Sequence, residues 1–99
     1  MQYLGFDWDE GNARKNDKHG VSKPEVEQAF LNTPLVVAED VKHSQHEVRF
    51  HALGRTDKNR LLHITFTERG NGALIRPISA RVMSRRERAI YAKAAQTNP

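Results

Sequence analysis

The sequence predicts an α+β fold: two N-terminal helices and a C-terminal helix packed on an antiparallel sheet of three to four main strands. Two observations carry this. Three runs of period-2 alternation follow one another between residues 47 and 80, joined by short turn-like links. Two S-x-x-E boxes, Ser22–Glu25 and Ser84–Glu87, mark helix starts on either side of those runs. At 99 residues the chain is expected to be one domain, 1–99, with one modest core.

The elements follow in order. Residues 3–8 (YLGFDW) read as a short strand, with Tyr3, Gly5 and Asp7 opposed to Leu4, Phe6 and Trp8. Asp9 suits the N-cap of a helix over about 10–18, a weak one because only Ala13 is apolar and Gly11 costs about 1 kcal/mol against Ala. Gly20 stands where that helix should stop. The second helix has Pro24 in its first turn and an apolar face of Val26, Ala29 and Phe30; Pro34 ends that region. Glu47–Arg55 alternates, with Val48, Phe50 and Ala52 opposed to Arg49, His51 and Leu53. Leu61–Glu68 sets Leu62, Ile64 and Phe66 against His63, Thr65 and Thr67, and Ala73–Ala80 is the third strand. The links are Thr56-Asp57-Lys58-Asn59 and Gly70-Asn71-Gly72, both turn chemistry. The last helix runs from Ser84 to about Ala95 with Ile90 and Ala94 inward.

The net charge of +4 is unevenly spread. Residues 1–47 hold five Lys/Arg and nine Asp/Glu; residues 48–99 hold eleven Lys/Arg, nine of them Arg, and three Asp/Glu. Arg matches phosphate bidentately and stays charged, so the second half reads as an anion-binding surface with nucleic acid as partner. Without such a partner the same charges are a solubilising surface. Arg85, Arg86 and Arg88 crowd the first turn of the last helix, where cations are mildly unfavourable unless an anion sits nearby. There is no cysteine, which excludes disulfide scaffolds and thiol chemistry. No apolar run approaches the ~20 residues of a membrane span, and the start lacks the marks of a secretory signal. A cytoplasmic protein without membrane contact is expected.

Several groups can carry chemistry. His43, His46 and Glu47 could ligate a metal, but their order differs from the helical zinc motifs and the segment leads into a strand, so no metal and no cofactor are expected. Lys18-His19-Gly20 places a titratable ring near a helix end. Glu47, Arg49, Glu68, Arg69, Arg76, Ser79 and Arg81 fall on consecutive strands about 4.8 Å apart, where they can converge. Metal-free RNA cleavage needs such a set: a base for the 2′-OH, an acid for the leaving oxygen and cations for the phosphorus. A network of surface ion pairs is the alternative.

The segments FDWDEGNARKNDKHGVS (6–22), HSQHEVRFHALGR (43–55), LLHITFTER (61–69) and IRPISARVMSRRERAIY (75–91) resemble the BrnT-type toxins of bacterial type II toxin–antitoxin systems. The resemblance covers nearly the whole chain, with every motif in order. It implies a compact fold similar to the RelE toxins and a ribonuclease that inhibits translation by cleaving RNA without a metal. It also implies a ribbon-helix-helix antitoxin of the BrnA type, which blocks the toxin, reaches operator DNA on its own account, and carries two toxins on an antitoxin dimer. Trp8 matches the aromatic of the opening motif, and Lys18 and His19 its K-H. Glu47 and Arg49 match the E-x-R after the HS pair, Glu68 and Arg69 the T-E-R, and Arg76, Ser79 and Arg81 the IRxISAR. The motif does not say which of these act as base and acid; His19 or Glu47 is expected as the base and Arg49, Arg69, Arg76 and Arg81 on phosphate, with Glu68 in the catalytic set. Trp8, Lys18, Ser79, Arg85, Arg86 and Arg88 are expected on the RNA. Gly11 and Asn12 stand where the family usually has a helix former and a Lys, which weakens the first helix, and His63 stands where an aliphatic is typical. A non-catalytic nucleic-acid-binding regulator using the same basic face, or a protein-interaction module, are the competing readings.

Overall fold

The computed structural model describes residues 3–17 and 19–97. Lys18 therefore lies outside the described residues. The chain forms β1 (Gly5–Phe6), α1 (Glu10–Asp17), α2 (Lys23–Leu31), β2 (Val36–Glu39), a 3-10 turn (Val41–His43), β3 (Arg49–Arg55), β4 (Leu61–Arg69), β5 (Leu74–Val82) and α3 (Arg85–Thr97). One five-stranded sheet runs in the order β1-β5-β4-β3-β2.

The α+β class and the antiparallel β3-β4-β5 meander are as the alternation predicts. Two features correct the sheet. The first strand shrinks to Gly5–Phe6 and pairs in parallel with β5, Gly5 opposite Leu74 and Phe6 opposite Ile75, so the sheet is mixed. Local alternation carries no information on direction when the partner lies at the far end of the chain. The fifth strand, β2, pairs antiparallel with β3 from Val36–Leu53 to Glu39–Phe50 and was not expected. It sits at the sheet edge with Val37, Ala38 and Glu39 exposed, so it has no alternation to read.

Turn chemistry fixes the meander. Gly70, Asn71 and Gly72 take φ of 61, 57 and 87°, three left-handed residues in a row, a conformation that glycine adopts without steric cost and asparagine tolerates. Both S-x-x-E boxes form. Ser22 Oγ accepts from the Glu25 amide while Glu25 accepts from the Ser22 amide, and the same exchange joins Ser84 and Glu87.

One face of the sheet carries the main core. Ala52, Leu62, Ile64, Phe66, Ile75 and Ala80 pack against Val21, Val26 and Ala29. Phe66 meets Phe30 edge-on at 5.0 Å and stacks on Phe50 at 5.2 Å. Strand β3 passes so close under α2 that a Cβ on Gly54 would lie 2.6 Å from the Ala29 carbonyl oxygen. Val48 precedes β3 and is exposed, not aligned with Phe50 as the alternation suggested.

On the opposite face α3 covers only one end, where Leu53, Met83 and Tyr91 pack with Val36 and Leu61. The inward position of α3 is Tyr91, 4% exposed, with Ala94 half-buried; Ile90 is 47% exposed and corrects the expected face. The Tyr91 hydroxyl donates to the Pro34 carbonyl at 2.7 Å, and that anchor sets the rotation of the helix. Away from α3 this second face carries the polar residues of β3, β4 and β5, with α1 at its β5 edge.

A bulge in β5 decides which residues share that face. Phe66 pairs with Pro77 but Thr65 pairs with Ser79, so Ile78 is the extra residue. Without it Arg76 and Ser79, three apart, would point to opposite sides. With it Arg76, Ser79 and Arg81 stand in line opposite Thr67, Thr65 and His63. Pro77 cannot donate to a ladder, which is why the irregularity falls there.

Candidate functional site

Three rows of side chains cross the open face. The first is Arg49–Thr67–Arg76, the second His51–Thr65–Ser79 and the third Leu53–His63–Arg81, each read from the register of β3, β4 and β5. At the first row the face deepens into a cleft of about 310 Å³. Arg49, Arg69, Arg76 and Glu47 line it from the sheet side, and Asn12 and Lys15 of α1 close the other wall.

Asn12 positions that wall. Its side-chain oxygen accepts from the Asp9 amide at 2.7 Å while its own amide donates to Asp9 Oδ1 at 3.1 Å, a reciprocal cap on α1. Its Nδ2 donates to the carbonyls of Asp7 and Pro77, both at 2.9 Å. Asn12, expected to weaken the helix, is buried and ties α1 to the bulge in β5. Motif spacing gave no warning of this; the D-x-x-N pattern over Asp9–Asn12 is the signal that could have.

The cations of the cleft are not equivalent. Arg69 pairs with Glu47 at 2.8 Å. Arg76 pairs with Asp9 at 2.8 Å and Asp7 at 3.5 Å. Hydrogen bonding to Asn12, reinforced by Arg76, holds the Asp9 carboxyl below the usual carboxylate range, and Asp9 in turn raises Arg76. Arg49 and Lys15 have no acidic partner among the described residues and supply the free positive charge.

Histidine enters at the second row. His51 Nε2 lies 3.0 Å from Asp40 Oδ2, and its Nδ1 lies 3.3 Å from the Thr65 hydroxyl. His43 Nδ1 reaches the same Asp40 oxygen at 2.8 Å. Burial alone would raise the Asp40 carboxyl, but the bond and charge of His43 and the charge of His51 outweigh it and hold it low. The His51 and His63 rings stand 4.8 Å apart. Burial, then the Arg81 charge, pushes the His63 ring below the usual histidine range. His51 was legible only as the face-mate of Arg49 in the alternation of β3. In the third row Arg81 forks onto both oxygens of Glu87, at 2.8 and 3.0 Å, and holds that carboxyl down at about 2.

The expected site residues divide accordingly. Glu47, Arg49, Arg69 and Arg76 come together at the cleft. Ser79 and Arg81 lie on the same face in the next rows. Glu68 does not join them. It pairs with Ile75 on the core side of the sheet, where it accepts the Tyr3 hydroxyl at 2.7 Å, because neighbours on a strand point to opposite faces. Burial, with Glu68 beside it, raises the Tyr3 phenol. His19 is exposed in the turn between α1 and α2 and does not line the cleft. The Trp8 indole donates to Glu27 at 2.8 Å and packs on the core, with Lys23 over its ring at 5.6 Å. Arg85, Arg86 and Arg88 are exposed on α3, beyond the third row. Among the described residues no group of three or more His, Asp or Glu is placed to hold a metal ion, His43, His46 and Glu47 included.

The family model for the ribonuclease toxin BrnT, of type II toxin–antitoxin systems, matches residues 8–87. The chain belongs to this family. The BrnT match runs from Trp8 to Glu87 and so takes in every side chain of the cleft and of the three rows. No curated protein matches the chain. As a BrnT member it is a ribonuclease toxin with an antitoxin partner. No helix among the described residues is long and apolar enough to cross a membrane.

Proposed function

We propose that this BrnT protein is a metal-independent endoribonuclease of the cytoplasm that inhibits translation by cutting RNA through 2′-OH transesterification. The observation that carries this reading is the cleft at the first row. Arg49 and Lys15 stand there without acidic partners among the described residues, beside Arg69 and Arg76, which ion pairs hold in place. Four cations around one cavity supply the positive charge that offsets the negative charge building up on the phosphoryl oxygens in the transition state of phosphoryl transfer. Glu47 fixes the Arg69 fork, and Asp9 fixes Arg76, so neither must be ordered when substrate arrives. The RNA continues along the open face over Ser79 and Arg81 towards Arg85, Arg86 and Arg88.

The antitoxin we assign is of the BrnA type. It blocks the toxin and leaves operator DNA to its own domain, with two toxins held on an antitoxin dimer. The test is incubation of antitoxin-free protein with end-labelled RNA in EDTA. Fragments ending in 2′,3′-cyclic phosphate are expected. Intact RNA, both free and on translating ribosomes, with salt-sensitive binding retained, would mean a non-catalytic nucleic-acid-binding module instead.

A further inference from the structure

We infer that His51 is the general base of this site, a catalytic residue held in its working orientation by Asp40. The inference rests on the ribonuclease reading of the cleft and assigns the proton transfer that the reading leaves open.

Geometry points to His51 in three ways. It stands in the row directly beside Arg49–Thr67–Arg76, two residues along β3 from Arg49. Two residues of strand span about 6.6 Å, so a phosphate on the long Arg49 side chain lies over the imidazole. The ring is reachable, with 38% of its side chain exposed, whereas Asp40 is only 10% exposed. And its two nitrogens have separate tasks. Nε2 faces the Asp40 carboxylate at 3.0 Å, which selects the tautomer with the proton on Nε2. Nδ1 then carries the lone pair and accepts from the Thr65 hydroxyl at 3.3 Å, a long bond that a ribose hydroxyl can replace.

Groups of β2, of β4 and of the segment after β2 face the ring. Opposite His51 on β2 stands Ala38, which brings no charge. On β4 its neighbour is His63, whose ring is pushed below the usual histidine range by burial and the Arg81 charge. Asp40, shared with His43, stabilises the imidazolium once it forms. Arg49 is the one cation on its own strand face near it.

The step balances. The 2′-oxygen bonds to phosphorus and gives its proton to His51 Nδ1. The bond from phosphorus to the 5′-oxygen breaks, and that oxygen takes a proton from solvent water, whose hydroxide recovers the proton held on the His51 imidazolium. The products are a 2′,3′-cyclic phosphate and a 5′-hydroxyl, and no oxidant or metal takes part.

The experiment follows single-turnover cleavage of a labelled RNA by the full chain, freed of antitoxin, across pH. Four variants are compared with the parent: His51→Ala, His51→Gln, Asp40→Asn and Arg49→Ala. Both His51 variants are expected to cleave at least about 100-fold slower, the scale of a lost general base, with RNA affinity kept. Added imidazole should restore part of the rate to His51→Ala and none to Arg49→Ala. Asp40→Asn should move the acid limb of the rate profile, which a merely structural residue would leave in place. If both His51 variants cleave at the parental rate and profile while Arg49→Ala is slow, the assignment of His51 is overturned and the cleft reading stands. Slow His51 variants without imidazole rescue, together with an unmoved acid limb in Asp40→Asn, also overturn it, because His51 then only supports the fold. A parent that cuts no RNA overturns both.

Discussion

Arg49 on β3 and Arg76 on β5 stand opposite the same residue, Thr67, from its two sides. They differ in their bonds. Arg76 is pinned by Asp9 and Asp7, whereas Arg49 has no acidic partner among the described residues. Arg49 is therefore the cation whose charge is free for phosphate, and Arg76 the one whose place is set in advance.

Arg49→Ala should separate binding from folding. Its guanidinium holds no described carboxylate, so stability should stay within about 0.5 kcal/mol. RNA binding should weaken, and the slope of log affinity against log salt should become shallower by about 0.7, one phosphate contact on a single strand. A salt titration of RNA binding checks this. An unchanged slope would remove Arg49 from the interface.

Asn12→Ala should be among the costly substitutions in α1. The amide is 5% exposed and joins the Asp7 and Pro77 carbonyls to the helix cap. Removing it strands buried acceptors and the cap together, at about 2–3 kcal/mol. Urea unfolding followed by far-UV circular dichroism measures it. A loss below about 0.5 kcal/mol would mean that solvent reaches those carbonyls.

Gly54→Ala should destabilise by about 1–3 kcal/mol through overpacking. The new methyl would meet the Ala29 carbonyl oxygen at 2.6 Å, and that is backbone, which cannot swing aside. Thermal unfolding is the measure, and an unchanged midpoint would place α2 farther from β3 than the structure has it.

The meander, its turns and both capping boxes were legible because each is local: alternation, glycine and a spacing of three. The motif residues Glu47, Arg49, Arg69 and Arg76 were legible as a set because the β3-β4-β5 register follows from that alternation. What escaped depends on events far apart in the chain. Gly5–Phe6 pairs with the last strand, and β2 is an exposed edge. The bulge at Ile78 realigns Arg76 with Ser79, and no local pattern announces it. Glu68 illustrates the converse: adjacent to Arg69 in sequence, it is on the other side of the sheet.

The Arg81–Glu87 fork should make the fold sensitive to acid. The Arg81 hydrogen bonds, more than the Ser84 cap or the charges around it, lower Glu87 from its ordinary value of 4.5 to about 2. A carboxyl lowered in the folded state stabilises the fold fully above its unfolded value. That contribution fades as pH falls from about 4.5 towards 2. The full shift corresponds to about 3 kcal/mol. Arg81 is 43% exposed, so solvent screening reduces the expected loss to about 1–2 kcal/mol. Glu87→Gln should show this loss already at pH 7, where it also weakens the cap that starts α3, and its stability should fall less than the parent's between pH 4.5 and 2. Denaturant titrations of both proteins across that range check the prediction. Parallel curves would mean that Glu87 is not the group that titrates, and that the N-terminus of α3 is held by the Ser84 cap and the packing of Tyr91 alone.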